Sequence, residues 1–415
     1  RIITFVLIHT MLASAASAAA VVDLSKELEV DEVAVSSSHG AMSVNDYAAS
    51  DAAIRAVIVL EDGKVVANYA RDDVGENEVS PAQSVTKSWT ALMVGMLIDE
   101  GKLSLNSTLG SVFTDEYIWD EAMPDADFRK AITIEEMVSM TSGLQAIVFD
   151  SEAFTFVNMD DWDHIEPGLK QTIAMPSIGE RGEYSYLGTS DILGFVILEV
   201  SGLTPRQYLD QNVLPKLGID SSDIVWVQNE SSGMENVFGG LELTPTQMAK
   251  FGQLYLQGGK AGPLESSRVV SEEWVDRSWT VSTEEADPAL TPQTLHMGIT
   301  KEQLNEVMPP MGHGFLWYKR SFGEDAWCAD GSGGQHICVA PSLGRVVVQQ
   351  RDLVSDPDAE MIDYLALDSL LGNRVAELAT DESLLFKDEK LEVAHLSDKS
   401  SAMTMMLGGS VAYVT

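Results

Sequence analysis

The segment Ser84-Val85-Thr86-Lys87 sets a hydroxyl and an amine three residues apart, just ahead of an apolar-periodic stretch from Ser88 to Glu100. On a helix, residues three apart share one face and sit about one turn from each other. An amine in that place can accept the proton of the hydroxyl, and the free N–H groups of a helix start favour the negative charge that then develops. This is the chemistry of a serine nucleophile with a lysine base. A metal centre is not indicated. Cys328 and Cys338 are too few for a four-cysteine zinc site, and the 7 histidines are scattered without a His-x-x-x-His spacing. The expectation is therefore no cofactor and no metal.

Beyond the Ser-x-x-Lys tetrad, Ile132 to Leu144 forms a helix-and-turn block, and Phe238-Gly239-Gly240-Leu241 through Tyr255 forms another. With these blocks in this order, the chain resembles the serine β-lactamase, DD-peptidase and family VIII esterase superfamily, class C-like, over roughly residues 50–380. The resemblance implies that Ser84 is the nucleophile and Lys87 its base. The family's second motif is Tyr-x-Asn. Here Tyr184 takes the place of its tyrosine and Tyr186 that of its asparagine, while an alternative register makes Tyr186 the functional tyrosine. The third motif is Lys-Thr-Gly in β-lactamases. Gly331-Ser332-Gly333 resembles members that lack the lysine, and the resemblance implies that the N–H of Gly334 joins that of Ser84 as an oxyanion hole. Losing the lysine removes the partner of a β-lactam carboxylate, which favours neutral esters and amides.

The elements that must hold these groups are legible in outline. Arg55 to Leu60 and Val65 to Tyr69 read as strands joined at Asp62-Gly63, a tight-hairpin pair. Gly314 to Lys319, Ala326 to Ala329, Ile337 to Ala340 and Arg345 to Gln350 read as later strands. Between them, Ser80-Pro81-Ala82-Gln83, Thr204-Pro205-Arg206-Gln207, Thr244-Pro245-Thr246-Gln247 and Thr133-Ile134-Glu135-Glu136 read as capping boxes opening helices. The expected fold is a two-lobed α/β (α+β) architecture. An antiparallel sheet of about five strands comes from both chain ends, is flanked by helices, and carries an inserted, mainly helical region. The sheet lobe covers about 50–80 and 313–380, and the helical lobe about 84–281. A helix at Glu360 to Ala379 should cover the sheet, and 282–312 should form a long loop. Cys328 and Cys338, symmetric about Gly333, are either a cross-strand disulfide or two buried thiols.

Across 415 residues, 26 basic against 64 acidic side chains leave a net charge of −38. Such a surface repels phosphate backbones and anionic lipids, so nucleic-acid binding is not expected. Residues 1–20 read as a signal peptide, with Ala-x-Ala cleavage sites ending at Ala18 or Ala20, which implies a secreted or periplasmic location. The tail 381–415 ends in an apolar stretch from Met403, either a sticky segment or the start of a membrane anchor. The sequence thus reads as a secreted serine hydrolase acting on a small-molecule ester or amide through a Ser84 acyl-enzyme. β-lactamase or D-amino-acid peptidase activity is the alternative within enzymes. A non-catalytic binding or scaffold protein that keeps the fold is the alternative outside them.

Overall fold

The computed structural model describes residues 21–31, 52–75, 78–145, 169–174, 177–186, 190–228, 234–286, 311–319, 325–331 and 333–352, with residues 44 and 48 and the strand pairs 149–150/155–156 and 403–407/410–414. The leader expected at 1–20, the helix expected at 360–379 and most of the 282–312 segment expected as a loop lie outside the described residues. Among the described residues no helix is long and apolar enough to cross a membrane.

The first hairpin follows its turn chemistry. Strand β1 (Ile54–Glu61) and strand β2 (Lys64–Ala70) pair through Glu61 and Lys64. Between them Asp62 and Gly63 both take positive φ, 47° and 79°. That backbone twist matches the strands, and Asp-Gly tolerates it at little steric cost. The remaining strands are β3 (Thr283–Ala286), β4 (Met311–His313), β5 (Tyr318–Lys319), β6 (Trp327–Gly331), β7 (Gln335–Ala340) and β8 (Arg345–Arg351). The sheet runs β3-β4-β5-β6-β7-β8-β1-β2, and every neighbouring pair is antiparallel. It therefore closes the two chain ends on each other at β8 and β1, as expected. It has eight strands rather than about five. The extra strands are β3 and β4, which lie at the two ends of the segment expected as a long loop, while the strand expected over Gly314 to Lys319 is reduced to β5 because Leu316 takes φ 58° and turns the chain between β4 and β5.

The helical insertion is built around α1 (Thr86–Asp99), buried on every side from Thr86 to Leu97. A helix that is apolar all round belongs inside a core. Its Trp89 stacks on Phe251, with ring centroids 4.1 Å apart, and Phe251 stacks in turn on Trp317 just ahead of β5. The other helices that frame the site are α2 (Ile134–Val138), α3 (Ser190–Ser201), α4 (Pro205–Asn212) and α5 (Pro245–Leu256). Three of the expected capping boxes form, at Thr133, Thr204 and Thr244, each with the threonine oxygen accepting from the amide three residues on.

Candidate active site

The fourth box does not form, and its failure shapes the site. Ser80-Pro81 is a short strand segment paired with Leu243 and Glu242, so Ser80 is not a cap. Ala82 donates its N–H to the Leu241 carbonyl, and Gln83 then turns with φ 52° into a single 3₁₀ turn, Gln83–Val85, before α1 begins. A left-handed glutamine costs conformational energy and persists where surrounding structure imposes it, commonly at functional sites. Ser84 sits in that 3₁₀ turn, half-buried, two residues ahead of the start of α1. Thr86, Ser88 and Thr90 lock the start of the helix from inside. Thr86 Oγ1 accepts from Leu241 N at 3.1 Å, Ser88 Oγ donates to Leu316 O at 2.7 Å, and Thr90 Oγ1 donates to Val237 O at 2.8 Å.

Lys87 is 3% exposed and reaches three oxygens. Its Nζ lies 2.9 Å from Ser84 Oγ, 3.2 Å from Tyr186 OH and 2.7 Å from the Phe238 carbonyl. Tyr186 OH in turn lies 2.5 Å from Ser84 Oγ. Nucleophile, amine and phenol therefore form a closed triangle of hydrogen bonds, and a buried amine left without such partners would carry a large desolvation cost. The Phe238 carbonyl escapes a reading of side chains because it is a backbone atom. The turn that aims it is marked by Asn236, whose Oδ1 accepts from the N–H groups of Phe238 and Gly239 at 3.2 and 2.9 Å.

The tyrosine in contact with Ser84 is Tyr186, which corrects the register that favoured Tyr184. Tyr184 OH instead pairs with Tyr318 OH on β5 at 2.8 Å, and its ring packs against His313 of β4. The cause is the anchoring of the loop. Gly179, Gly182 and Ser185 donate their amides to the carbonyls of Gly143, Thr141 and Met140 in the turn after α2. Those bonds hold the loop so that Tyr186, not Tyr184, meets the α1 start. Arg181, on the same loop, is engaged elsewhere. Its guanidinium grips Glu136 through Nε at 2.8 Å and also bonds the Ala131 carbonyl. Burial opposes ionisation of Glu136, but Arg181 and the Thr133 amide and hydroxyl hold its carboxyl below the ordinary range.

The two ends of the glycine turn have different surroundings. A Cβ on Gly331 would lie 2.4 Å from the Ala82 carbonyl and 3.1 Å from Gln83 Cβ, so β6 approaches the Ser84 segment at Gly331. Gly334, at φ 82°, lies against β8: a Cβ there would sit 2.3 Å from Arg351 Cδ, and its carbonyl accepts from Gln349 Nε2 at 3.1 Å. β6 thus meets the segment before Ser84 at Gly331, while Gly334 packs against β8. Gly333 lies in the turn with φ 75°, and Ser332 lies outside the described residues.

Cys328 and Cys338 face each other across β6 and β7 and form a disulfide, three residues behind Gly331. Closing so short a loop limits the unfolded chain, so Cys338→Ser is expected to lower stability by about 2–3 kcal/mol. Urea melts of the variant and of the native chain, unreduced, would measure this. Equal midpoints, or two thiols titrating in the denatured native chain, would exclude the bridge.

Residues 48–366 match the family model Beta-lactamase, more than half of the chain. The chain belongs to the Beta-lactamase family. This Beta-lactamase-family chain is 25% identical over 323 residues to 6-aminohexanoate-dimer hydrolase of Paenarthrobacter ureafaciens, covering 76% of each. Its fold is similar to that of a penicillin-binding protein homolog from Caulobacter crescentus (TM-score 0.56, 16% identity, 86% of this chain and 99% of that one). It is also similar to that of simvastatin synthase from Aspergillus terreus (TM-score 0.54, 16% identity, 79% and 94%). The family is one of serine hydrolases, and the Ser84–Lys87 pair lies inside the matched region.

Proposed function

We propose that this Beta-lactamase-family serine hydrolase cleaves a neutral small-molecule ester or amide through an acyl-enzyme on Ser84. The observation that carries the reading is the half-buried Ser84 Oγ within hydrogen-bond reach of both Lys87 Nζ and Tyr186 OH. With Lys87 as the neutral amine, the Ser84 proton passes to it as Oγ bonds to the carbonyl carbon. The oxyanion that forms is met by the Ser84 N–H and by the β6 backbone at the Gly331 end of the turn. Tyr186, touching both partners, hands the proton to the leaving oxygen or nitrogen as its bond to carbon breaks. Water then repeats the sequence: its proton goes to the same pair, its oxygen bonds to the acyl carbon, and Ser84 recovers its hydrogen as the acid departs.

Three features support neutral substrates. The third-motif lysine is absent, and Arg181, the cation on the tyrosine loop, is spent on Glu136. The net charge of −38 disfavours anions on approach as well. The expected result is that short-chain neutral esters are turned over with kcat/KM at least ~10² above that for a cephalosporin, about 2.7 kcal/mol in transition-state stabilisation. The relative named for the 6-aminohexanoate dimer puts a linear amide in the same panel. Comparable rates for nitrocefin and a butyrate ester would overturn the substrate reading. Failure of a fluorophosphonate to label Ser84 would overturn the enzyme reading altogether. The compartment we propose is oxidising, secreted or periplasmic, and the leader-like 1–20 and the Cys328–Cys338 bridge support it.

A further inference from the structure

We propose that the Tyr184–Tyr318 hydroxyl pair is a positioning device for Tyr186, fastening the tyrosine loop to the sheet so that the two walls of the cleft keep one spacing. The proposal rests on the reading of Ser84, Lys87 and Tyr186 as the reactive centre. Residues 180–183 of that loop are exposed, and its backbone bonds to Met140, Thr141 and Gly143 all run to the helical lobe. The 2.8 Å bond from Tyr184 OH to Tyr318 OH crosses instead to β5. Tyr318 is 6% exposed and pairs with Cys328, so it stands beside the disulfide-braced hairpin that ends at Gly331. A continuous path therefore joins the strand beside the nucleophile to the loop carrying Tyr186: β6, Tyr318, Tyr184, then Tyr186 two residues on.

The chemistry of the pair suits a fixed strut. Burial, with Tyr184, Tyr186 and Asp330 nearby, pushes the Tyr318 phenol well above its ordinary range, so it keeps its proton and its hydrogen bond. The His313 ring lies 5.0 Å from both tyrosine rings, and burial drives its pKa down to about 3. It therefore stays a neutral spacer between them. Without the strut the loop is held by its helical-lobe bonds alone, so those bonds open more often and the loop can shift relative to β6, and small displacements of a reacting group are costly in rate.

Tyr318→Phe and Tyr184→Phe each keep the ring and remove one hydroxyl. Each is expected to slow fluorophosphonate labelling of Ser84 about tenfold, with the double variant no slower than either single one. Added to Tyr186→Phe, Tyr318→Phe should cost nothing more, because the group it positions is gone. General loosening of the fold would instead multiply the two losses, and that outcome overturns the proposal. Hydrogen exchange supplies a readout that needs no activity: the Gly182 and Ser185 amides should exchange faster in Tyr318→Phe. Unchanged exchange in both single variants overturns the strut whatever the rates. Absence of labelling in the native chain would instead overturn the proposed function, and exchange would still decide the strut.

Discussion

Lys87→Arg is expected to slow acylation of Ser84 by ~10³-fold or more, near the upper range for removing a general base. The guanidinium stays protonated at any usable pH and so cannot take the Ser84 proton. Size adds to the effect, since Lys87 is buried and its Nζ already fits between Ser84 Oγ, Tyr186 OH and the Phe238 carbonyl. Lys87→Met separates chemistry from packing: it is close in volume, leaves no buried cation, and should be equally inactive while melting near the native temperature. The measurement is the second-order labelling rate with a fluorophosphonate, beside a thermal melt of each variant. An arginine variant labelled within tenfold of the native rate would remove Lys87 as the base.

The amine and hydroxyl were legible because their relation is local. Three residues near a helix start fix their proximity wherever the helix lies, and the Asp62-Gly63 hairpin and the threonine capping boxes were legible for the same reason. What could not be read depends on contacts between distant segments. Ser80 matches Thr204 and Thr244 as a cap, yet pairing of Ser80-Pro81 with Glu242 and Leu243 claims it for a strand. Tyr184 and Tyr186 are equivalent in composition and differ by two positions. Which one meets Ser84 is decided by the Ser185 amide bonding Met140, more than forty residues away. Gly331 and Gly334 are likewise indistinguishable as glycines until β6 is docked on Ala82 and β8 brings Arg351 beneath the turn. The Phe238 carbonyl leaves no side-chain trace at all. The strands that went unread, β3 and β4, are only four and three residues long. Such short strands are made by the sheet they join, not by their own propensity.

Tyr186→Phe is expected to lower turnover of alkyl esters and amides by ~10²-fold, the usual size of a lost proton-transfer group. The substitution isolates the hydroxyl, because the ring remains beneath Lys87 Nζ, now 4.8 Å from its centroid, and the packing of the loop is kept. Tyr184→Phe should cost only about tenfold, since its hydroxyl acts through the loop rather than on the reacting atoms. The leaving group gives the sharper test. An alkoxide or amine anion must be protonated as it departs, whereas p-nitrophenolate leaves without help. If Tyr186 delivers that proton, its loss should be felt ~10-fold less with a p-nitrophenyl ester than with an ethyl ester of the same acid. An equal penalty for both would mean that the 2.5 Å contact with Ser84 serves activation of the nucleophile alone, and that the leaving group takes its proton directly from Lys87. A larger penalty for Tyr184→Phe than for Tyr186→Phe would return the functional tyrosine to the register the motif first suggested, against the geometry of the triangle.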